Sequence, residues 1–426
     1  MDTQQRAWIK ALLQQEVVVA TGCTEPGAVA LCVSKARELL GRMPERVEVW
    51  LSKNVYKNAL GVGIPGTGMI GLPIAIAMAV VAGDTQRGLQ VLNMPREEVE
   101  KAKLWLNDHS QQIQINAKKD CDKLYIECVC ACGNHKATAT IARRHDSFVF
   151  LKKDDEILLD CREMPLCGES QDCVESELTT RVVYDYATTA PIEELRFIDE
   201  TVRLNKCASD AGLEGYGLNA GRIMMQHANG DIVHTVVART VAASDARMDG
   251  CMLPVYSNSG SGNQGITCTL PVYEFGVESH CDPERITRAL VMSHLMSIYI
   301  KRGIGRLSAL CGIVNASIGV GAAITYLQGG TYEEITFAIR NMINTISGMV
   351  CDGAKPSCAL KMSAGLYSAF VASNLAVKDK VVDPTDGLAE PDVDCSIRNL
   401  CQLGRAGMES TDDVILDIMM HKKFQS

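Results

Sequence analysis

The chain has 426 residues, 47% hydrophobic and 22% charged, with a formal net charge of −9 and a pI near 5.5. That length and apolar content suffice for a sizeable core and for two or three domains at roughly 100–200 residues each. The acidic balance argues against nucleic acid or an anionic membrane surface as partner, because both attract clustered Lys and Arg.

In chain order, residues 4–19 carry apolar positions at Trp8, Leu12, Leu13 and Val17 and predict a first helix. It runs into Thr21-Gly22-Cys23-Thr24-Glu25-Pro26, where Thr24 is a candidate N-cap and Pro26 suits the first turn of a second helix over 27–40. Cys23 then stands at a helix N-terminus, a setting expected to lower its thiol pKa. Residues 46–53 alternate like a half-buried strand, and a glycine-rich turn over 60–68 follows. The longest apolar run ends at Ala82 and is too short to span a bilayer at about 20 residues. No secretory signal opens the chain, so the expected compartment is the cytoplasm, without a membrane span. After helices to about Leu106, residues 111–159 read as strands in an antiparallel meander or hairpins, with Gly133-Asn134 as a turn. Beyond about 175 the pattern is helical, apart from DIVHTVVART and the glycine-rich stretch 257–265. Helices are expected near 285–302, 306–326, 332–348, 359–377 and 411–422, and Asp383–Asp394 reads as a surface loop. These readings give an α+β fold, a predominantly helical lobe plus a smaller lobe with antiparallel strands. The divisions are 1–45, packing on the helical lobe; 46–165, mixed α/β; and 166–426, mainly helical.

The chain has eighteen cysteines, and without an export signal they point to metal, catalysis or plain burial rather than disulfides. Cys311, Cys351 and Cys358 lie beside glycines or a proline, where backbone can wrap an inorganic core. Thiolates are the ligands of iron–sulfur clusters, but C-x6-C is neither a ferredoxin nor a zinc-finger spacing, and buried structural thiols remain open on spacing alone. Cys128, Cys130 and Cys132 share one face of a strand, which half-buried packing explains. Cys121, Cys161, Cys167 and Cys173 receive the same structural reading. The stretch 257–265 offers either a nest for a carboxylate or phosphate or a solvated turn. Arg247 suits a substrate carboxylate or an ion pair with Asp245 or Asp249. His294, in a helical apolar run, reads as a core histidine. No H-E-x-x-H, phosphate-loop or G-x-S-x-G pattern is present.

Six segments in order, TGCTEP, KNALGVGIPGTGMIGLPIA, SDARM, SNSGSGNQGI, RLSALCG and GMVCDGAKPSCALK, together resemble the anaerobic L-cysteine desulfidases, relatives of the iron–sulfur L-serine dehydratase alpha chain. The resemblance spans about residues 10–420. It implies an oxygen-sensitive [4Fe–4S] cluster with one open iron, held by Cys311, Cys351 and Cys358. It places Cys23 at the active site, as base or transient fourth ligand. The implied reaction is β-elimination of L-cysteine to sulfide, pyruvate and ammonia, in a homodimer acting on a small amino acid. Ser259, Ser261, Asn263, Gln264 and Arg247 are the expected substrate-binding residues. One departure matters: iron–sulfur serine dehydratases can fill the open iron with a cysteine near the C-terminus, whereas here the last cysteine is Cys401. Three alternatives stand beside this reading. They are an L-serine dehydratase with the same cluster, a pyridoxal-phosphate β-eliminase suggested by S-G-S-G-N-Q-G, and a non-catalytic iron–sulfur or amino-acid sensor.

Overall fold

The structure is a computed structural model that describes residues 1–163, 178–305 and 307–422. Cys167 and Cys173 lie outside the described residues. Helix α1 (Thr3–Glu16) and strand β1 (Val19–Ala20) lead into α2 (Thr24–Leu40), β2 (Arg46–Ser52), α3 (Lys53–Ala59), α4 (Leu72–Ala82) and α5 (Arg96–His109). Strands β3 (Ile113–Lys118), β4 (Tyr125–Cys132), β5 (His135–Ala142), β6 (Phe148–Lys153) and β7 (Glu156–Asp160) follow. Next come α6 (Thr180–Thr189), α7 (Ile192–Leu195), α8 (Glu200–Gly215), α9 (Ala220–Gln226), α10 (Ile232–Met248) and β8 (Val255–Tyr256). The chain closes with α11 (Gly262–Glu278), α12 (Pro283–Ile304), α13 (Gly312–Leu327), α14 (Tyr332–Ile346), α15 (Cys358–Ala376), α16 (Val393–Gln402) and α17 (Glu409–Met420). The expected α+β architecture is the one observed, and no helix among the described residues is long and apolar enough to cross a membrane.

Six strands form one sheet in the order β3-β2-β4-β5-β6-β7. Its meander β4–β7 is antiparallel as expected, but β2 and β3 run parallel, with Val47 opposite Ile113. The reason is the long connection: α3, α4 and α5 intervene, and such a crossover returns the chain in the same direction. One face of the sheet buries Val47, Val49, Leu51, Ile126, Cys128, Cys130, Ala137, Ala139 and Ile141 in a core shared with α2 and α4. Cys128 and Cys130, with thiols 3.9 Å apart, are part of that packing. A second core joins α10 to α15 with α1 and α6.

Two expectations change. The run DIVHTVVART is not a strand but the start of α10. Asp231 caps it by accepting from His234 N at 2.6 Å, and Val236, Val237, Thr240 and Val241 are buried at helical spacing. Residues 1–45 do not pack as one piece on the helical lobe. Ile9, Leu12, Leu13 and Val17 of α1 join the helical core, while α2 joins the sheet core. Cys23 therefore lies where the two cores meet.

Candidate active site

Two short strand pairings assemble the site from distant parts of the chain. The first pairs β1 with β8, Val19 opposite Tyr256 and Ala20 opposite Val255. It is extended when Ser257 N donates to Val18 O (2.8 Å) and Ser259 N to Glu16 O (2.9 Å). The loop carrying Cys23 is thereby held against the loop 257–261, and Thr24 Oγ1 donates to Gly260 O at 3.3 Å. The second is an antiparallel bridge between Leu310 and Val350. There Cys311 N donates to Met349 O (3.0 Å) and Cys351 N to Ala309 O (2.7 Å), so Cys311 and Cys351 emerge side by side. Cys358 opens α15 seven positions later.

The glycine-rich turn closes the assembly from behind. Gly63 N donates to Met248 O at 2.9 Å, and Gly66 N to Gly250 O at 3.3 Å, which docks the turn on the end of α10. Gly22 has φ +68°, and a Cβ there would stand 2.7 Å from Pro65 Cγ. Only glycine satisfies both the backbone and the contact.

The nine residues expected from sequence all border one cleft of ≈ 130 Å³: Cys23, Arg247, Ser259, Ser261, Asn263, Gln264, Cys311, Cys351 and Cys358. Cys401, by contrast, is buried on α16, and its thiol donates to Ile300 O at 3.5 Å.

Arg247 is the cation of this cleft's Cys23 end. It is buried, and its guanidinium donates to Gly22 O (3.0 Å), Asn263 Oδ1 (3.2 Å) and Cys23 Sγ (3.6 Å). Its Nε has no partner. Asp245 does not pair with it: that carboxylate accepts from Gly221 N at 2.9 Å, and burial pushes its pKa up to about 6. Among the described residues Arg247 makes no ion pair with Asp245 or Asp249; its guanidinium bonds are to Gly22, Asn263 and Cys23.

The stretch 257–265 is a tight hairpin turn followed by a helix start. Asn258 and Ser261 exchange backbone hydrogen bonds of 3.0 Å around Ser259-Gly260. The Ser261 hydroxyl then caps α11 by accepting from Gln264 N at 3.3 Å. The amides of Asn258, Ser259 and Ser261 are consumed within the protein, so side chains rather than a backbone nest present the polar groups. Gln264 is oriented by its neighbours. Its Nε2 donates to Asn258 Oδ1 (2.8 Å) and Ser297 Oγ (3.1 Å). Its Oε1 is buried without a partner, close to Gly312. Asn258 is fixed in turn by donating to His294 Nδ1 and His294 O, both 3.1 Å. His294 Nδ1 is therefore an acceptor, and Nε2 carries the proton toward Thr269 Oγ1 at 3.0 Å. His294 is a fully buried neutral histidine, held down to about 3 by desolvation, and it orders the cleft at second hand.

The thiols differ from expectation in one respect. Cys23 sits at the N-terminus of α2, yet burial pushes its thiol up to about 11, against the pull of Arg247. The local helix effect is outweighed because Cys23 is only 8% exposed and desolvation penalises a thiolate. Cys351 behaves oppositely. A hydrogen bond with the Cys311 thiol lowers it, burial opposes, and Lys57 and Lys361 reinforce the lowering. Cys311 is pushed up by the same pairing. Cys358 donates to Gly353 O at 3.6 Å, and burial raises it.

The sequence reading missed the lysines. Lys57, fully buried on α3, pairs with Asp412 of α17 at 2.5 Å and donates to Cys351 O at 2.9 Å. Lys361 pairs with Asp352, and Lys355 donates to Asp352 O. Lys301, in the last turn of α12, borders the cleft itself. Glu25 lines it too and accepts from Asn58 Nδ2 at 2.9 Å. A lone lysine leaves no periodic or motif signal; only the charged Asp412 and Asp413 of an otherwise amphipathic last helix hinted at a partner.

Comparison with known proteins matches residues 86–417 to the family profile described as serine dehydratase alpha chain. The matched segment holds Arg247, Ser259 to Gln264 and the three late cysteines, and begins after Cys23. Among curated relatives, a UPF0597 protein of Phocaeicola vulgatus is 50% identical over 98% of both chains. One from Bacteroides fragilis is 49% identical over 99% of this chain and all of its own. One from Aeromonas hydrophila is 41% identical over 97% of this chain and 95% of its own. The chain belongs to the serine dehydratase alpha chain family.

Proposed function

We propose that this protein is an iron–sulfur-dependent lyase that eliminates the β-substituent of a small L-amino acid, with L-cysteine as the substrate. The observation that carries the reading is the convergence of Cys311, Cys351 and Cys358 on the cleft that also holds Cys23, Arg247 and Gln264. The residues fit a cluster. Among the described residues no three His, Cys, Asp or Glu side chains stand close enough to share one metal ion. A cluster needs no such trio, because each thiolate takes its own iron. Small residues, Gly312, Gly353 and Ala354, border the same space, and Lys57 and Lys361 favour thiolate at Cys351.

When bound, a [4Fe–4S] cluster with one open iron supplies a Lewis acid for a departing sulfur or oxygen. The protein's own groups do the rest. Arg247 and Asn263 take the α-carboxylate, with Ser259 and Ser261 at the rim. Gln264 Nε2 is engaged by Asn258 and Ser297, which turns the accepting Oε1 outward to hold the α-ammonium. Cys23 Sγ, beside Arg247, is placed to take the α-proton. Its high proton affinity makes the thiolate a strong base once formed and keeps it scarce beforehand, which equally suits a ligand role for this thiol.

Anaerobic purification with iron and acid-labile sulfide counted, then assays with L-cysteine and L-serine, test the proposal. The expected result is about four irons per chain with sulfide, pyruvate and ammonia from L-cysteine. Pyruvate from L-serine alone would establish the second reading, a serine dehydratase, which the family profile favours. Full activity without iron would refute both.

A further inference from the structure

Of the four lysines gathered near the late cysteines, three are occupied. Lys57 is spent on Asp412, Lys361 on Asp352, and Lys355 on the Asp352 carbonyl. Lys301 is different. Its side chain is only 9% exposed and lines the cleft. No hydrogen bond or ion pair to another described residue engages its ammonium. The titratable groups that act on it are Cys351, Cys311 and Glu25, with the like charge of Lys57. An ammonium without a partner in a largely buried cleft is stabilised when a group that is or becomes anionic arrives beside it.

Arg247, Asn263 and Cys23 line the same cleft as Lys301, Cys311 and Cys351. In the elimination reading the carboxylate goes to Arg247, and Lys301, the other cation of the cleft lining, is free for the β-substituent.

We propose that Lys301 is a catalytic residue that binds the β-substituent and gives it the proton with which it leaves. The assignment rests on the elimination reading above. The base takes the α-proton, and the electron pair of that Cα–H bond becomes the Cα=Cβ double bond. The Cβ–X bond breaks with its pair going to X, and X collects a proton from Lys301. Water or hydrogen sulfide departs, leaving aminoacrylate, a neutral amine at Lys301 and a protonated base. Proton exchange with solvent resets both groups.

The need for a donated proton falls from hydroxide to hydrosulfide to chloride. Cluster-loaded wild type, Lys301→Gln and Lys301→Met are therefore compared with L-serine, L-cysteine and β-chloro-L-alanine. Iron and sulfide per chain are counted in each, and binding of L-alanine, which carries no leaving group, is measured by calorimetry. General acids contribute about 10²–10⁴-fold, so kcat should fall at least about 100-fold for L-serine and clearly less for L-cysteine. It should stay within about threefold for β-chloro-L-alanine, with iron content and L-alanine affinity unchanged. The ranking applies to whichever of these substrates the wild type turns over. An equal loss on all substrates, no loss on any, or weakened L-alanine binding would overturn the assignment while leaving elimination intact. A cluster-loaded wild type inert to all three would instead overturn the elimination reading, and Lys301's role with it.

Discussion

The buried Lys57–Asp412 pair ties the last helix to the cysteine loop, and its removal has a calculable cost. The two side chains are 1% and 8% exposed and 2.5 Å apart. Asp412 also accepts from Asn54 Nδ2 at 2.6 Å. Lys57→Met leaves a carboxylate in the interior with one amide partner, and breaking such a pair costs about 3–5 kcal/mol. It also strips the donor from Cys351 O, a loss of about 1–3 kcal/mol that belongs to Lys57 whatever stands at 412. Lys57→Met combined with Asp412→Leu removes both charges and keeps that second deficit, while Asn54 Nδ2 loses its acceptor at a further cost of about 1–3 kcal/mol. The double variant should therefore be the more stable by about 2 kcal/mol. Urea unfolding of the reduced, cluster-free proteins, followed by circular dichroism and extrapolated linearly, measures each value. A single variant costing under about 1 kcal/mol, or a double variant as unstable as the single, would refute the reasoning, because either result means that the pair is not desolvated.

Gly262 packs directly on Arg247: a Cβ there would stand 2.2 Å from its Nε. Gly262→Ala should displace the guanidinium and cut kcat/KM for the amino-acid substrate at least about 10-fold, while costing about 1–3 kcal/mol of stability; unchanged kinetics would contradict the Arg247 assignment. His294, held down to about 3 by burial, takes a proton near 6.5 when unfolded, so the unfolded state binds more protons between those values and stability falls as pH falls. From pH 7 to 5 its share is about 2 kcal/mol. Asp245, raised to about 6, acts with the opposite sign over the same range and offsets about 1 kcal/mol. The pH dependence lost in His294→Gln isolates the histidine, and an unchanged slope in that variant would exclude it. Cys351→Ala should abolish both iron and turnover, whereas Cys128→Ala in the sheet core should keep the wild-type iron count; the reverse pattern would move the cluster to the strand cysteines.

The sequence by itself determined a good deal. Short motifs marked Cys23, Arg247, the stretch 257–265 and the three late cysteines, because glycines, prolines and cysteines at fixed offsets leave local signatures. Period-two alternation gave the strands β3 to β6, and period-3.6 patterning gave most helices. The β-branched run in DIVHTVVART misled, since Val and Thr favour strands locally and only burial on several sides makes that segment helical. The parallel pairing of β2 with β3 was equally hidden, because direction depends on what the intervening helices do.

Tertiary structure alone decided the electrostatics of the cleft. A helix N-terminus lowers a thiol by a local effect that sequence shows, but the burial that raises Cys23 comes from loops hundreds of residues apart. Lys57 finds Asp412 across 355 positions, and Lys301 finds none. Gln264 is oriented through Asn258 by His294, a residue correctly read as core yet not as part of the site. Desolvation and pairing are properties of what surrounds a group in space, and no one-dimensional pattern carries them.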